Sequence, residues 1–453
     1  MAPAATLPSG FQESIAFSGL TNPTVVRFAS DGRVFVAEKS GLIKVFDNLS
    51  DPTPTLFADL STNVYNFWDR GLLGLALHPN FPATPYVYAL YTYDAAIGGV
   101  APRWGTPGVL SDPCPAGPTT NGCLVSGRLS RLEASGNVMT GPEQVLIEDW
   151  CQQFPSHSVG SLAFGADGAL YASGGDGASF TFVDSGQNGN PCSDPPSEGG
   201  ALRSQDRRTS GDPVSLDGSI LRVDPITGAA LPDNPLALDP DPNARRIVAS
   251  GLRNPFRITV RPGTNEVWAG DVGWNDWEEL NLVASGGDAT VENFGWPCYE
   301  GNGRMSAYDN LNLNICENLY AAGASAHNTP VYTYNHGERV STETCPTGGS
   351  ATAGLAFYTG KLFPQWRGSA LIGGYVVSNQ RLRSLLGRYV YGDFCIGKLR
   401  SLIPRLGGSR KDRRVGARVP MLSSFGEGRN GALFATSLNG PVFRVLPARK
   451  RRK

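Results

Sequence analysis

A strand–turn–strand unit recurs along this chain, and that recurrence limits the possible folds more than any other feature. Over residues 19–46, three short apolar strands are separated by the turns Asp31-Gly32 and Ser40-Gly41. The layout returns over residues 71–93, 160–177, 251–274 and 425–445, each time with an apolar strand, a turn and a second strand carrying an aromatic. Such a unit cannot bury both of its faces alone, so copies must pack on one another along a solenoid or around an axis. Antiparallel units of this kind point to a propeller. The 453 residues also exceed what one compact core sustains, which again favours a closed repeat. The expectation is an all-β single domain over residues 1–447 with a basic tail at 448–453. Between the units lie insertions at 94–127, 178–216 and 293–338, rich in glycine and proline. In a propeller these would build up one face over the central channel, with only short helical turns.

Composition narrows the function by exclusion. A formal net charge of -1 gives no global field toward nucleic acid or an acidic membrane surface. No apolar run is long enough to span a bilayer. The eight cysteines are even in number and contain no Cys-x-x-Cys, which favours disulfides over zinc and an oxidising compartment. The pairings suggested by proximity are Cys114 with Cys123, Cys151 with Cys192, Cys298 with Cys316 and Cys345 with Cys395. Residues 1–10 lack the charged start and apolar centre of a signal peptide, so the chain reads as a secreted or periplasmic protein already stripped of its leader.

His157, one of four histidines, stands immediately before a strand that runs into an Asp167-Gly168 pair, the signature of a two-residue hairpin turn. A loop carried on a rigid sheet is where binding residues concentrate, and imidazole suits proton abstraction near neutral pH.

Several longer stretches occur together. They are Arg70-Gly71-Leu72-Leu73-Gly74 running to Leu77-His78-Pro79-Asn80-Phe81, residues 157–177, and Leu216-Asp217-Gly218-Ser219-Ile220-Leu221-Arg222. Gly251-Leu252-Arg253-Asn254-Pro255-Phe256-Arg257, Gly270-Asp271-Val272-Gly273-Trp274 and Glu292-Asn293-Phe294-Gly295-Trp296-Pro297 follow. In this order they resemble the soluble glucose/sorbosone dehydrogenase family of quinoproteins over residues 7–358. The resemblance implies a six-bladed β-propeller that uses pyrroloquinoline quinone and calcium to oxidise an aldose or related alcohol, passing electrons to an external acceptor. It also implies His157 as general base, Arg253 and Asn254 at the quinone edge, and the main-chain carbonyls of Gly273 and Trp274 as calcium ligands. Asp271, Asp276, Glu278 and Glu279 crowd that loop, and a role for their side chains stays open. The blade motifs are shared with the hedgehog-interacting protein ectodomain, so a non-catalytic binding propeller is the alternative.

The chain departs from the family in two places. Asp69 stands at a polar position that touches the cofactor, and an acid beside an anionic quinone is unfavourable unless Arg70 or the calcium compensates. Residues 366–375 and 386–395 repeat one plan, so a strand pair is doubled and must lie outside the ring, replace its twin or distort a blade. The basic residues that would hold the cofactor's carboxylates match only Lys398 or Arg429, which leads to an expected cofactor affinity below the family norm.

Overall fold

The computed structural model describes residues 11–261, 264–284, 286–287, 289–335, 419–428 and 432–447, together with the backbone of six strands between 355 and 418. Strands dominate, and the helical pieces are short ones in the insertions, such as Gly200–Arg208 and Asn314–Ala321. The strands form antiparallel sheets read off in chain order. The first blade is Pro23–Phe28, Val34–Glu38, Leu42–Phe46 and Thr55–Asp59; the second is Leu72–Leu77, Tyr86–Tyr93, Val125–Ser135 and Val138–Gln152. The third is Val159–Phe164, Leu170–Gly174, Ser219–Val223 and Ile247–Ser250, with Glu292–Asn293 added in parallel. The fourth is Arg257–Val260, Val267–Asp271, Trp277–Val283 and Tyr332–Asn335. A closing blade joins Leu422–Gly428, Ala432–Ser437 and Val442–Pro447 to the N-terminal strand Phe11–Phe17, which pairs antiparallel with Val442–Pro447.

The first strands of successive blades contact one another, so they form the inner ring of a propeller. The hydrophobic cores lie between blades, as the two-residue side-chain period of a strand requires. In the first blade, Val25, Phe35 and Ala37 pack with Leu72, Leu75 and Val87 of the second. Their neighbours Val26, Val34 and Val36 point the other way, against Phe434 and Val442 of the closing blade. Leu162 and Leu170 of the third blade meet Leu90 and Leu129 of the second, while Tyr171 and Ile220 meet Ile258 and Ala269 of the fourth.

Five blades are described with side chains, against the six expected, and one turn is corrected. The doubled segment is divided between two sheets, Leu355–Phe357 with Ala370–Ile372 in one and Gly374–Val376, Tyr389–Gly392, Lys398–Arg405 and Gly408–Arg418 in the other. The Asp167-Gly168 turn is not a two-residue one, because the flanking strands end at Phe164 and begin at Leu170. Five residues connect them, closed by the Gly165 N–H on the Ala169 carbonyl at 2.9 Å and the Ala169 N–H on Asp167 Oδ1 at 3.0 Å. Three of the suggested disulfides are formed, Cys114–Cys123, Cys151–Cys192 and Cys298–Cys316. Cys345 and Cys395 lie outside the described residues.

Candidate active site

The entrances to the inner strands of the third and fourth blades are stitched together by one segment, Gly175-Asp176-Gly177. The Gly175 N–H donates to the Ser158 carbonyl at 2.7 Å and the Gly177 N–H to the His157 carbonyl at 3.0 Å. Between them, the Asp176 N–H donates to the Arg253 carbonyl at 2.9 Å. The approach is close enough that a Cβ on Gly175 would lie 2.3 Å from the His157 oxygen. His157 takes a left-handed backbone at φ 50, unusual for a non-glycine residue and a form of strain that concentrates at functional sites.

The His157 ring is buried, with its Nδ1 2.7 Å from Asp176 Oδ1. Asp176 Oδ1 also accepts the Ala178 N–H at 3.0 Å, and Oδ2 accepts the Trp296 indole N–H at 2.8 Å. Burial pushes the Asp176 carboxyl upward. The facing His157 and Arg253 outweigh that and hold it below the usual carboxylate range. An ionised Asp176 fixes the imidazole proton on Nδ1 and leaves the Nε2 lone pair outward. Nε2 has no hydrogen-bond partner among the described residues.

Arg253 is 5 % exposed, and its guanidinium lies 5.5 Å from the centre of the Trp296 ring. Its Nη1 donates to the carbonyls of Val272 at 2.9 Å and Gly273 at 2.7 Å, while Nε is buried without a partner. Asp271 holds the backbone here, accepting the N–H groups of Arg253 at 3.1 Å and Asn254 at 2.6 Å. Asp271 and Glu279 are both buried; burial first pushes both carboxyls up, with Glu278 adding to the rise at Asp271 and Asp271 adding to it at Glu279. Glu279 accepts the Gly301 N–H at 2.6 Å, so neither carboxylate acts as a free ligand arm. Glu300 Oε1 gathers the N–H groups of Trp274 at 2.5 Å and Asn275 at 3.1 Å, shaping the loop that was expected to present carbonyls.

The residues fit a quinone: an unpaired imidazole nitrogen and a buried guanidinium nitrogen without a partner share one entrance. The calcium assignment fits less well at Gly273, because its carbonyl already accepts from the Arg253 cation, which repels a metal ion. Arg70 does not compensate Asp69. It is fully buried, its Nη2 donating to the carbonyls of Gln152 and Phe154 at 2.8 Å and its Nη1 to that of Cys123, and it ties the first insertion to the strand before His157. Asp69 is exposed and makes no ion pair with Arg70, although both Arg70 and Lys39 feel its charge; Lys39 is pushed down to about 8 by burial while Asp69 and Asp112 pull it back up. Lys398 is described by its backbone alone, and Arg429 lies outside the described residues.

Sequence reasoning missed Asp176 as the partner of the histidine and Trp296 as the partner of Asp176. A lone aspartate between glycines at the end of the second strand, Gly174-Gly175-Asp176-Gly177, was the available signal for the first. Nothing local marked Trp296, which arrives from an insertion about 120 residues away.

A family model described as glucose/sorbosone dehydrogenase matches residues 20–386. The chain is similar to quinoprotein glucose dehydrogenase B of Acinetobacter calcoaceticus, 23% identical over 68% of this chain and 57% of the relative. It is also similar to the HIPL1 protein of Arabidopsis thaliana, 25% identical over 86% of this chain and 55% of that one. The chain therefore spans little more than half of either relative. Among solved structures, the PQQ-bound aldose sugar dehydrogenase of Streptomyces coelicolor superposes with a TM-score of 0.59 at 18% identity, covering 98% of this chain and all of that one, a likeness of fold.

Proposed function

Because the chain belongs to the glucose/sorbosone dehydrogenase family, we propose that it oxidises an aldose or a related sugar or alcohol with a bound pyrroloquinoline quinone and calcium, within a six-bladed ring. The quinone, when bound, supplies the two-electron acceptor, and an external acceptor removes the electrons. His157 takes the substrate hydroxyl proton at Nε2. Asp176 keeps that nitrogen unprotonated beforehand and stabilises the imidazolium afterwards. Arg253 supports negative charge at the quinone edge, with its unpaired Nε available to the cofactor and Asn254 beside it. The carbonyls of Gly273 and Trp274 would hold calcium only if Arg253 turns from Gly273 toward the quinone. Lys398, Arg429 and Asp69 complete the proposed cofactor contacts, Asp69 with Lys39 near it.

The observation that carries this reading is the buried His157–Asp176 pair facing Arg253. A binding propeller has no need for a strained, buried histidine whose second nitrogen has no partner among the described residues. Three disulfides support a secreted or periplasmic setting, and no helix among the described residues is long and apolar enough to cross a membrane.

The test is titration of metal-stripped protein with the quinone and calcium, followed by dye reduction with a panel of aldoses. Saturable binding and aldose-dependent reduction are expected. Saturable binding without turnover on any sugar or alcohol would leave a binding propeller, and no binding would remove the cofactor assignment.

A further inference from the structure

Two arginines enter the propeller's channel, and neither meets a carboxylate among the described residues. Arg257 begins the innermost strand of the fourth blade and is 6 % exposed. Its Nη1 donates to the carbonyls of Phe256 at 3.1 Å and Leu73 at 3.4 Å, and its Nη2 to that of Thr24 at 3.4 Å. Leu73 lies on the innermost strand of the second blade and Thr24 on that of the first. A side chain that leaves the fourth blade and reaches both must cross the space the inner strands enclose. Arg27 lies on the same inner strand as Thr24, its Nη1 donating to the Val26 carbonyl at 3.1 Å.

The carbonyls of Thr24 and Val26, two residues apart on one strand, point to the same edge, so the guanidinium groups they hold lie side by side there and repel. Burial pushes Arg257 down to about 9, and Arg27 adds to the depression; burial alone takes Arg27 to about 10. Each guanidinium carries five N–H donors in a planar fork, and among the described residues these meet only a few carbonyls, two of them at the outer limit of hydrogen bonding, with the Arg257 group also 4.0 Å from the centre of the Phe256 ring. Taking a cation out of water without a counter-charge is costly, and two like charges in one channel are costlier still. An anion with several acceptor oxygens relieves both penalties at once, since guanidinium forks match the oxygen spacing of phosphate-like groups.

We propose that the central channel holds a small tetrahedral oxyanion, of the phosphate or sulfate type, between Arg27 and Arg257. It acts as a structural ligand that ties the first, second and fourth blades together. The inference does not depend on the dehydrogenase reading, because both arginines belong to the strands of the ring and the ion takes no part in turnover.

Thermal unfolding of the full chain, free of quinone, tests it with inorganic phosphate at low millimolar concentration against sodium chloride of equal ionic strength. A saturable rise in Tm of roughly 2–4 °C is expected for a ligand that binds only the folded ring. The rise should be lost in Arg27→Gln and in Arg257→Gln. If Arg257→Gln does not fold, Arg27→Gln decides alone, since among the described residues its guanidinium holds only a carbonyl of its own strand. General salting-out by phosphate would be unsaturable and equal in wild type and Arg27→Gln. That result, or no rise beyond the chloride control, would overturn the proposal.

Discussion

Asp176 has no reach of its own to substrate, yet it decides what His157 can do. Its carboxylate fixes the imidazole tautomer and accounts for the stabilisation of the protonated ring. Asp176→Asn keeps the shape and removes the charge, so turnover should fall by about 10²–10⁴-fold, with quinone affinity retained. The loss should fall on kcat, with KM for the aldose little changed. A purely structural Asp176 would lower Tm and leave kcat at equal cofactor occupancy in place, and that outcome would remove it from the mechanism.

The Gly273 loop is the element on which the cofactor assignment turns. A Cβ at Gly273 would lie 1.6 Å from the Trp277 carbonyl oxygen, so Gly273→Ala must displace the turn that Glu300 gathers and Arg253 contacts. Quinone binding by absorbance titration should weaken at least tenfold while a single cooperative melt persists; unchanged binding would exclude this loop from the site. A second element, the insertion containing Gly200–Arg208, carries its own charge problem. Carboxylate oxygens of Glu198, Asp206 and Asp212 lie within 4.8 Å of one another. Burial first, then Asp212 and Asp194, push the Asp206 carboxyl up to about 7. A carboxyl raised in the folded state keeps its proton where the unfolded chain has lost it, so its contribution is fully present below about pH 4 and is lost as pH rises to about 7. The Tm of the wild type should therefore fall between pH 5 and pH 8, and Asp206→Asn should shrink that fall. An identical fall in the variant would place the pH dependence elsewhere. The strands themselves were legible in the sequence, because apolar alternation and turn pairs are local signals that the ring does not override. His157 and Arg253 were legible through long motifs. The Asp176–Trp296 contact, the part played by Arg70 and the arginines of the channel were not, because each joins distant segments through side-chain geometry.

At the scale of the whole molecule, the ring brings the ends of two inner strands to one place and closes by pairing Phe11–Phe17 with Val442–Pro447. The cores between blades flank that entrance and hold the backbone positions of His157, Asp176 and Arg253. The account rests on His157 as the proton acceptor in a quinone-dependent oxidation. Single-turnover reduction of quinone-loaded protein by an excess of aldose, compared between wild type and His157→Ala at equal cofactor occupancy, tests this most directly. The account predicts equal quinone binding and reduction slowed by a factor on the order of a hundred or more in the variant. Reduction at the same rate in both proteins would contradict it.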